Sequence, residues 1–170
     1  TLSSSSAASD VYKRQVTPTE LSEKDRIHPK LEEAEPVKQK KVLVTGANGQ
    51  LGRALREVHP DFEFVNRGEF DVASPSDRNW SEYRAIVNCA AYTDVDGAEA
   101  DVESAWRVNA FAPAELARIA REHRISLVHI STDYVFNGAK QTPYRTEDAI
   151  SPISVYGCLL YTSPSPRDRG

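Results

Sequence analysis

The stretch VLVTGANGQLGRAL sets three glycines, Gly46, Gly49 and Gly52, between a Val-rich apolar run and a segment with helical spacing. Few folds accept that arrangement. A short apolar run bounded by glycine reads as a buried parallel strand. QLGRALREV then carries Leu51, Leu55 and Val58 on one helix face. Gly46 permits the tight turn between them. Gly49 lets the backbone approach a pyrophosphate, and Gly52 lets the helix pack close to the strand. The helix start offers unpaired N–H groups and the positive end of its dipole to phosphates. The strand before and the helix after supply the context that a bare glycine triplet lacks. A glycine turn in a nucleotide-free α/β fold is the alternative reading.

FEFV, RAIVNCA and ISLVHIS read as three further strands. Residues 101–123 hold a helix-period stripe of Ala105, Val108, Ala112, Leu116, Ile119 and Ala120, with a kink or break expected near Pro113. Strands alternating with helices argue for an α/β fold with a parallel sheet, expected to be the N-terminal part of a Rossmann-type doubly wound sheet. In such folds an acid about 20 residues after the glycines holds the ribose 2′-hydroxyl. Here the second strand ends in Asn66 and Arg67. Arginine there suits a 2′-phosphate, so NADPH is favoured over NADH. Nearby Glu69 keeps NADH open, and a plain surface arginine is the alternative.

The bulk properties narrow the field. With 170 residues and a formal net charge of −4, the chain is one ordinary domain or part of a larger one, and no general nucleic-acid binder. No apolar run approaches the roughly 18 residues of a membrane span, and no signal peptide is evident. Cys89 and Cys158 have no metal-type spacing, so no metal site is expected and a reduced cytoplasmic protein is the default.

NCAAYTDVDGAE, STDYVFNG, PYRTED and SPISVYG follow the glycine turn in order. Together these stretches resemble the extended short-chain dehydrogenase/reductases, and within them the dTDP-4-dehydrorhamnose reductase family. The resemblance implies reduction of the 4-keto group of dTDP-4-dehydro-L-rhamnose by NADPH or NADH, in dTDP-L-rhamnose biosynthesis. It implies cofactor contacts at Gly46, Asn48, Gly49, Gln50, Leu51, Arg67, Asp71, Val72, Ala90, Ala91 and Tyr92. Asp71 and Val72 would lie along the adenine, and Tyr92 and Thr93 would reach towards the nicotinamide half. Asp94 is also a plausible helix N-cap. Asn109 matches a helix asparagine thought to shape the site, or is an exposed polar position. His129 reads as a packed strand residue rather than a catalyst. Thr132 would hydrogen-bond the substrate oxygen, and Tyr156, 24 residues later, would donate the proton. A free tyrosine has a pKa of about 10, and in the family a lysine one helical turn on tunes it. That position is Leu160. The implied partner is a dTDP-sugar, with no nucleic acid or membrane and a homodimeric parent protein.

The ends differ in texture. Residues 1–15 and 158–170 are Ser-rich or Ser-Pro-rich and are expected to be disordered. Both resemble tails found on unrelated metagenomic sequences, where adapter DNA is translated with the insert. Residues 16–39 read as a charged linker or as the C-terminal tail of a dTDP-4-dehydrorhamnose 3,5-epimerase, which would make the parent an epimerase–reductase fusion. Residues 40–157 form the expected partial dinucleotide-binding domain, and the isolated chain is expected to lack reductase activity. Two rivals stand beside this reading. One is a non-catalytic NADP-binding regulatory subunit resembling the β subunit of methionine adenosyltransferase, which Leu160 would suit. The other is a nucleotide-sugar epimerase or dehydratase of the same superfamily, for which Asp133 occupies the acid position.

Overall fold

Val42, Leu43, Val44 and Thr45 are all buried, so strand β1 (Lys41–Thr45) is covered on both faces. That requires a central position, and β1 has it. The computed structural model describes residues 38–75 and 78–162. Expectations for residues 1–37 and 163–170, including the two tails and the epimerase-like segment, lie outside the described residues. Helix α1 (Gln50–Val58) follows β1, then β2 (Glu63–Val65), a 3-10 turn (Trp80–Glu82) and β3 (Tyr83–Asn88). Helices α2 (Val95–Ala100) and α3 (Val102–Trp106), a π-helical turn (Arg107–Phe111) and α4 (Ala112–His123) precede β4 (Ser126–His129). A 3-10 turn (Asp133–Val135) and α5 (Val155–Thr162) complete the described order.

All strand pairs are parallel, and the sheet order is β2-β1-β3-β4. The chain therefore leaves β1 to one side for β2 and returns to the other side for β3. In open α/β sheets the crevice beyond the carboxyl ends at such a reversal is the ligand site. The main core lies between the sheet and α4. Leu43, Ile86 and Leu116 are fully buried there, with Phe70, Trp80, Tyr83 and Ile119 around them. A second cluster joins Ala98 of α2, Ala105 of α3, and Tyr156, Leu159 and Leu160 of α5.

The irregularity expected near Pro113 is present just ahead of it, as a π turn in which the Ala112 N–H donates to the Arg107 carbonyl. Proline has no N–H for the carbonyl four residues back. Widening the ladder just upstream lets the segment run on, with Pro113 accommodated in the first turn of α4. Residues 158–162, expected to be disordered, continue α5. Leu159 and Leu160 bury against Ala98 and Ala105, and that apolar burial outweighs the tail-like composition around them. Among the described residues, no helix is long and apolar enough to cross a membrane.

Candidate dinucleotide cleft and the Tyr156 helix

Gly46 turns the chain at the end of β1 with φ of 68°. A methyl group on it would lie 2.7 Å from the Ala90 nitrogen and from the Cys89 carbonyl, so the turn sits against the end of β3. A side chain on Gly52 would collide with the Gly46 carbonyl oxygen. These two glycines answer to packing inside the chain. Gly49 does not, because the one atom near its missing side chain is the Gly46 oxygen at 3.3 Å. Gly49 is also the N-cap of α1, with no side-chain cap and no acidic residue in the first turn. The result is a bare helix start with its positive end facing open space.

That space is a cleft of about 760 Å³ at the β1/β3 reversal. All eleven residues expected at a cofactor line it: Gly46, Asn48, Gly49, Gln50 and Leu51 from the turn; Arg67, Asp71 and Val72 beyond β2; and Ala90, Ala91 and Tyr92 beyond β3. Asn66, Phe70, Cys89 and Val108 also line it and were not among the expected contacts. Phe70 and Val108 carry helix- and loop-type apolar signals that sequence alone assigns to the core. Burial pushes the Cys89 thiol pKa up. Arg67 is exposed along the cleft wall. Glu69 is absent from that wall, and its Oε2 accepts the Asn66 N–H at 2.9 Å. Asp71 accepts the Ala73 N–H at 3.0 Å and pairs with Arg107 at 3.5 Å.

The floor beyond β3 is held by side chains. Asn109, fully buried in the π turn, receives the Tyr92 N–H on Oδ1 at 2.8 Å and donates to the Tyr92 carbonyl at 2.9 Å. Its place is thus a clamp on the loop after β3. Asp94 caps α2 by accepting the Gly97 N–H at 2.8 Å. Asn88 receives the Thr45 hydroxyl at 2.5 Å and contacts His129 Nδ1 at 3.1 Å. His129 is a packed strand residue, and burial lowers its pKa.

Thr132 and Tyr156 lie differently from the expected catalytic pair. Thr132 borders a separate cleft of about 490 Å³ with Ser131, Arg145 and Leu160, and Tyr156 does not line it. The Thr132 hydroxyl caps the 133–135 turn, accepting the Tyr134 N–H at 3.3 Å. Tyr156 is buried, its ring edge-on to Tyr134 at 5.6 Å between centroids. The reason is the face that α5 presents. Tyr156, Leu159 and Leu160 are buried together, and no charge or polar group on that face draws it towards solvent. A side chain on Gly157 would collide with the Tyr134 carbonyl oxygen, so glycine there lets α5 dock on the 133–135 turn. Among the described residues no group of three or more metal-ligating side chains forms.

Residues 40–162 match the family described as the RmlD substrate binding domain. The dTDP-4-dehydrorhamnose reductase of Aggregatibacter actinomycetemcomitans is 40% identical over 127 residues, covering 69% of this chain and 43% of that protein. A probable dTDP-4,6-dihydroxy-2-methyloxan-3-one 4-ketoreductase of Streptomyces antibioticus is 45% identical over 124 residues, covering 68% of this chain and 42% of that protein. The crystal structure of the Bacillus anthracis dTDP-4-dehydrorhamnose reductase in complex with NADP superposes with a TM-score of 0.63 at 32% identity, over 74% of this chain and 48% of that one. The chain thus spans less than half the length of these relatives.

Proposed function

The chain belongs to the RmlD substrate-binding-domain family, that of the dTDP-4-dehydrorhamnose reductases, and we propose that it serves NAD(P)H-dependent reduction of the 4-keto group of dTDP-4-dehydro-L-rhamnose. The observation that carries the proposal is the bare N-terminus of α1, with a glycine no packing demands, opening on the cleft at the sheet reversal. Gln50 and Leu51 N–H groups would receive the pyrophosphate. Asp71 and Val72 would border the adenine, and Ala90 to Tyr92 the nicotinamide half. Arg67 on the cleft wall, with Glu69 tied to the Asn66 N–H, supports NADPH over NADH. The bound nicotinamide would supply hydride to the substrate carbonyl.

Tyr156 would donate the proton to the nascent alkoxide, with Thr132 holding the same oxygen. Both roles need α5 and the 133–135 turn to open towards one cavity. Leu160, one turn after Tyr156 and equally buried, can neither carry charge nor donate a hydrogen bond. This chain by itself therefore binds cofactor without turnover. That same observation favours the second reading, an NADP-binding module without catalysis. A reducing cytoplasmic compartment belongs to the proposal and is supported by the free thiols of Cys89 and Cys158.

Fluorescence titration of the purified chain with NADPH and NADH tests the cofactor site. Tighter binding of NADPH is expected, with the preference lost in Arg67→Ala. A folded chain that binds neither dinucleotide overturns the proposal. NADPH oxidation in the presence of dTDP-4-dehydro-L-rhamnose would refute the part assigned to Leu160.

A further inference from the structure

Asn88 is almost fully buried at the carboxyl end of β3, with β1 on one side and β4 on the other. Its Oδ1 accepts both the Thr45 hydroxyl, at 2.5 Å, and the Ala90 backbone N–H, at 3.3 Å. A backbone N–H can only donate, so the atom facing Ala90 is the amide oxygen. The amide nitrogen is then the atom 3.1 Å from His129 Nδ1. An amide NH₂ can only donate, so Nδ1 must carry a lone pair. The ring proton therefore sits on Nε2, which is buried and has no partner among the described residues. The four groups have one consistent hydrogen-bond arrangement, and it requires a neutral imidazole.

We propose that His129 is a positioning residue of the cleft: its unprotonated Nδ1 holds the Asn88 amide in the one orientation that carries both the Thr45 hydroxyl and the Ala90 N–H. The inference rests on reading the cleft as a dinucleotide site, since Ala90 lies on the wall assigned to the nicotinamide half. A proton on Nδ1 would set two donors against each other. The amide must then turn or withdraw, and the Ala90 N–H loses its acceptor. Acidification thereby loosens the loop after β3 and weakens cofactor binding.

The other ionisable groups nearby do not reproduce this behaviour. Cys89, the next residue after Asn88, has its thiol pushed up, so it ionises in alkali. On α4, Glu115 and Glu122 are held by Arg118, and Arg121 and His123 are exposed. The Asp133 carboxylate accepts the Thr132 hydroxyl. Burial lowers the imidazole pKa, and a hydrogen bond with the Asn88 backbone opposes it by a smaller amount.

Nitrogen-detected NMR of the histidine rings in the purified chain, with amide shifts followed from pH 7.5 to 5, tests the proposal. His129 is expected as the Nε2–H tautomer, and the Ala90 amide is expected to move with the same midpoint as His129. In His129→Phe the Ala90 amide should become insensitive to pH. NADH is the binding probe, because it lacks the 2′-phosphate that itself titrates near pH 6. Native affinity should fall with the His129 midpoint as pH drops from 7.5 to 5, by at most about fivefold, the effect of one lost buried hydrogen bond, and His129→Phe should be weak and flat. Should that variant not fold, Asn88→Asp serves: its carboxylate accepts from Thr45 and Ala90 but must now receive a proton from Nδ1, so the tautomer should switch and the midpoint rise. An Nδ1–H tautomer in the native chain, or an Ala90 amide that stays still while His129 titrates, overturns the proposal. A native chain that binds no NADH at pH 7.5 refutes the dinucleotide reading, while the ring and Ala90 signals still decide the coupling.

Discussion

Gly46 and Gly52 are held to glycine by the chain's own backbone, and Gly49 is not. The difference can be measured. Gly46→Ala puts a methyl group 2.7 Å from three backbone atoms, at a left-handed φ. It should cost about 2 kcal/mol or more in urea unfolding and abolish dinucleotide binding. Gly49→Ala meets only one atom, at 3.3 Å, so its stability should stay within about 1 kcal/mol of native. Its NADPH affinity should nevertheless fall about tenfold or more, since the methyl group occupies the approach to the helix start. Equal affinity in Gly49→Ala would remove the pyrophosphate from this turn. The glycine turn was legible in the sequence because strand, turn and helix are contiguous there. The Asn88 network was not. Its partners Thr45 and His129 lie 43 and 41 residues away, and no local pattern announces an amide shared by three strands.

Among the elements, α4 ends on a residue that sequence reasoning passes over. Arg124 caps it in the left-handed conformation, φ 55°, where glycine is the usual choice. Relieving that strain is partly offset by the greater freedom glycine has in the unfolded chain. Arg124→Gly should therefore raise stability by about 0.5–1 kcal/mol, read as a shift in the denaturation midpoint at constant slope. Helix α5 presents the opposite case. Its front, SVYG, was readable as the start of a helix. Its continuation was not, because burial of Leu159 and Leu160 depends on α2 and α3, distant in sequence. If residues 158–162 dock as described, Leu160→Ala should cost about 2–4 kcal/mol through the cavity it leaves. A disordered segment would give no change, so equilibrium unfolding of this one variant separates the two states. The π turn belongs with the hidden features. Pro113 signals trouble in the ladder, but the turn of helix that absorbs it precedes the proline and brings Asn109 to Tyr92.

On the scale of the whole molecule, the α/β class and the parallel sheet followed from alternating strand and helix signals. What the alternation could not give is which strand lies at an edge. Among the described residues the two edges are β2 and β4. β2 is only three residues long, a length that limits pairing with other chains. β4 is longer, and Val128 within it and Ile130 just past its end are 50% and 41% exposed. An exposed apolar edge recruits other strands, whether from elsewhere in a longer protein or from a second copy. This chain alone should therefore self-associate with rising concentration, as followed by light scattering or sedimentation. Val128→Lys places a charge on that edge at a half-exposed site, so unfolding stability should change by no more than about 0.5 kcal/mol. Association should fall sharply. If the variant associates as strongly as the native chain, the sticky surface lies elsewhere. The stacked, exposed pair Trp106 and Phe111 would then be the surface to substitute next.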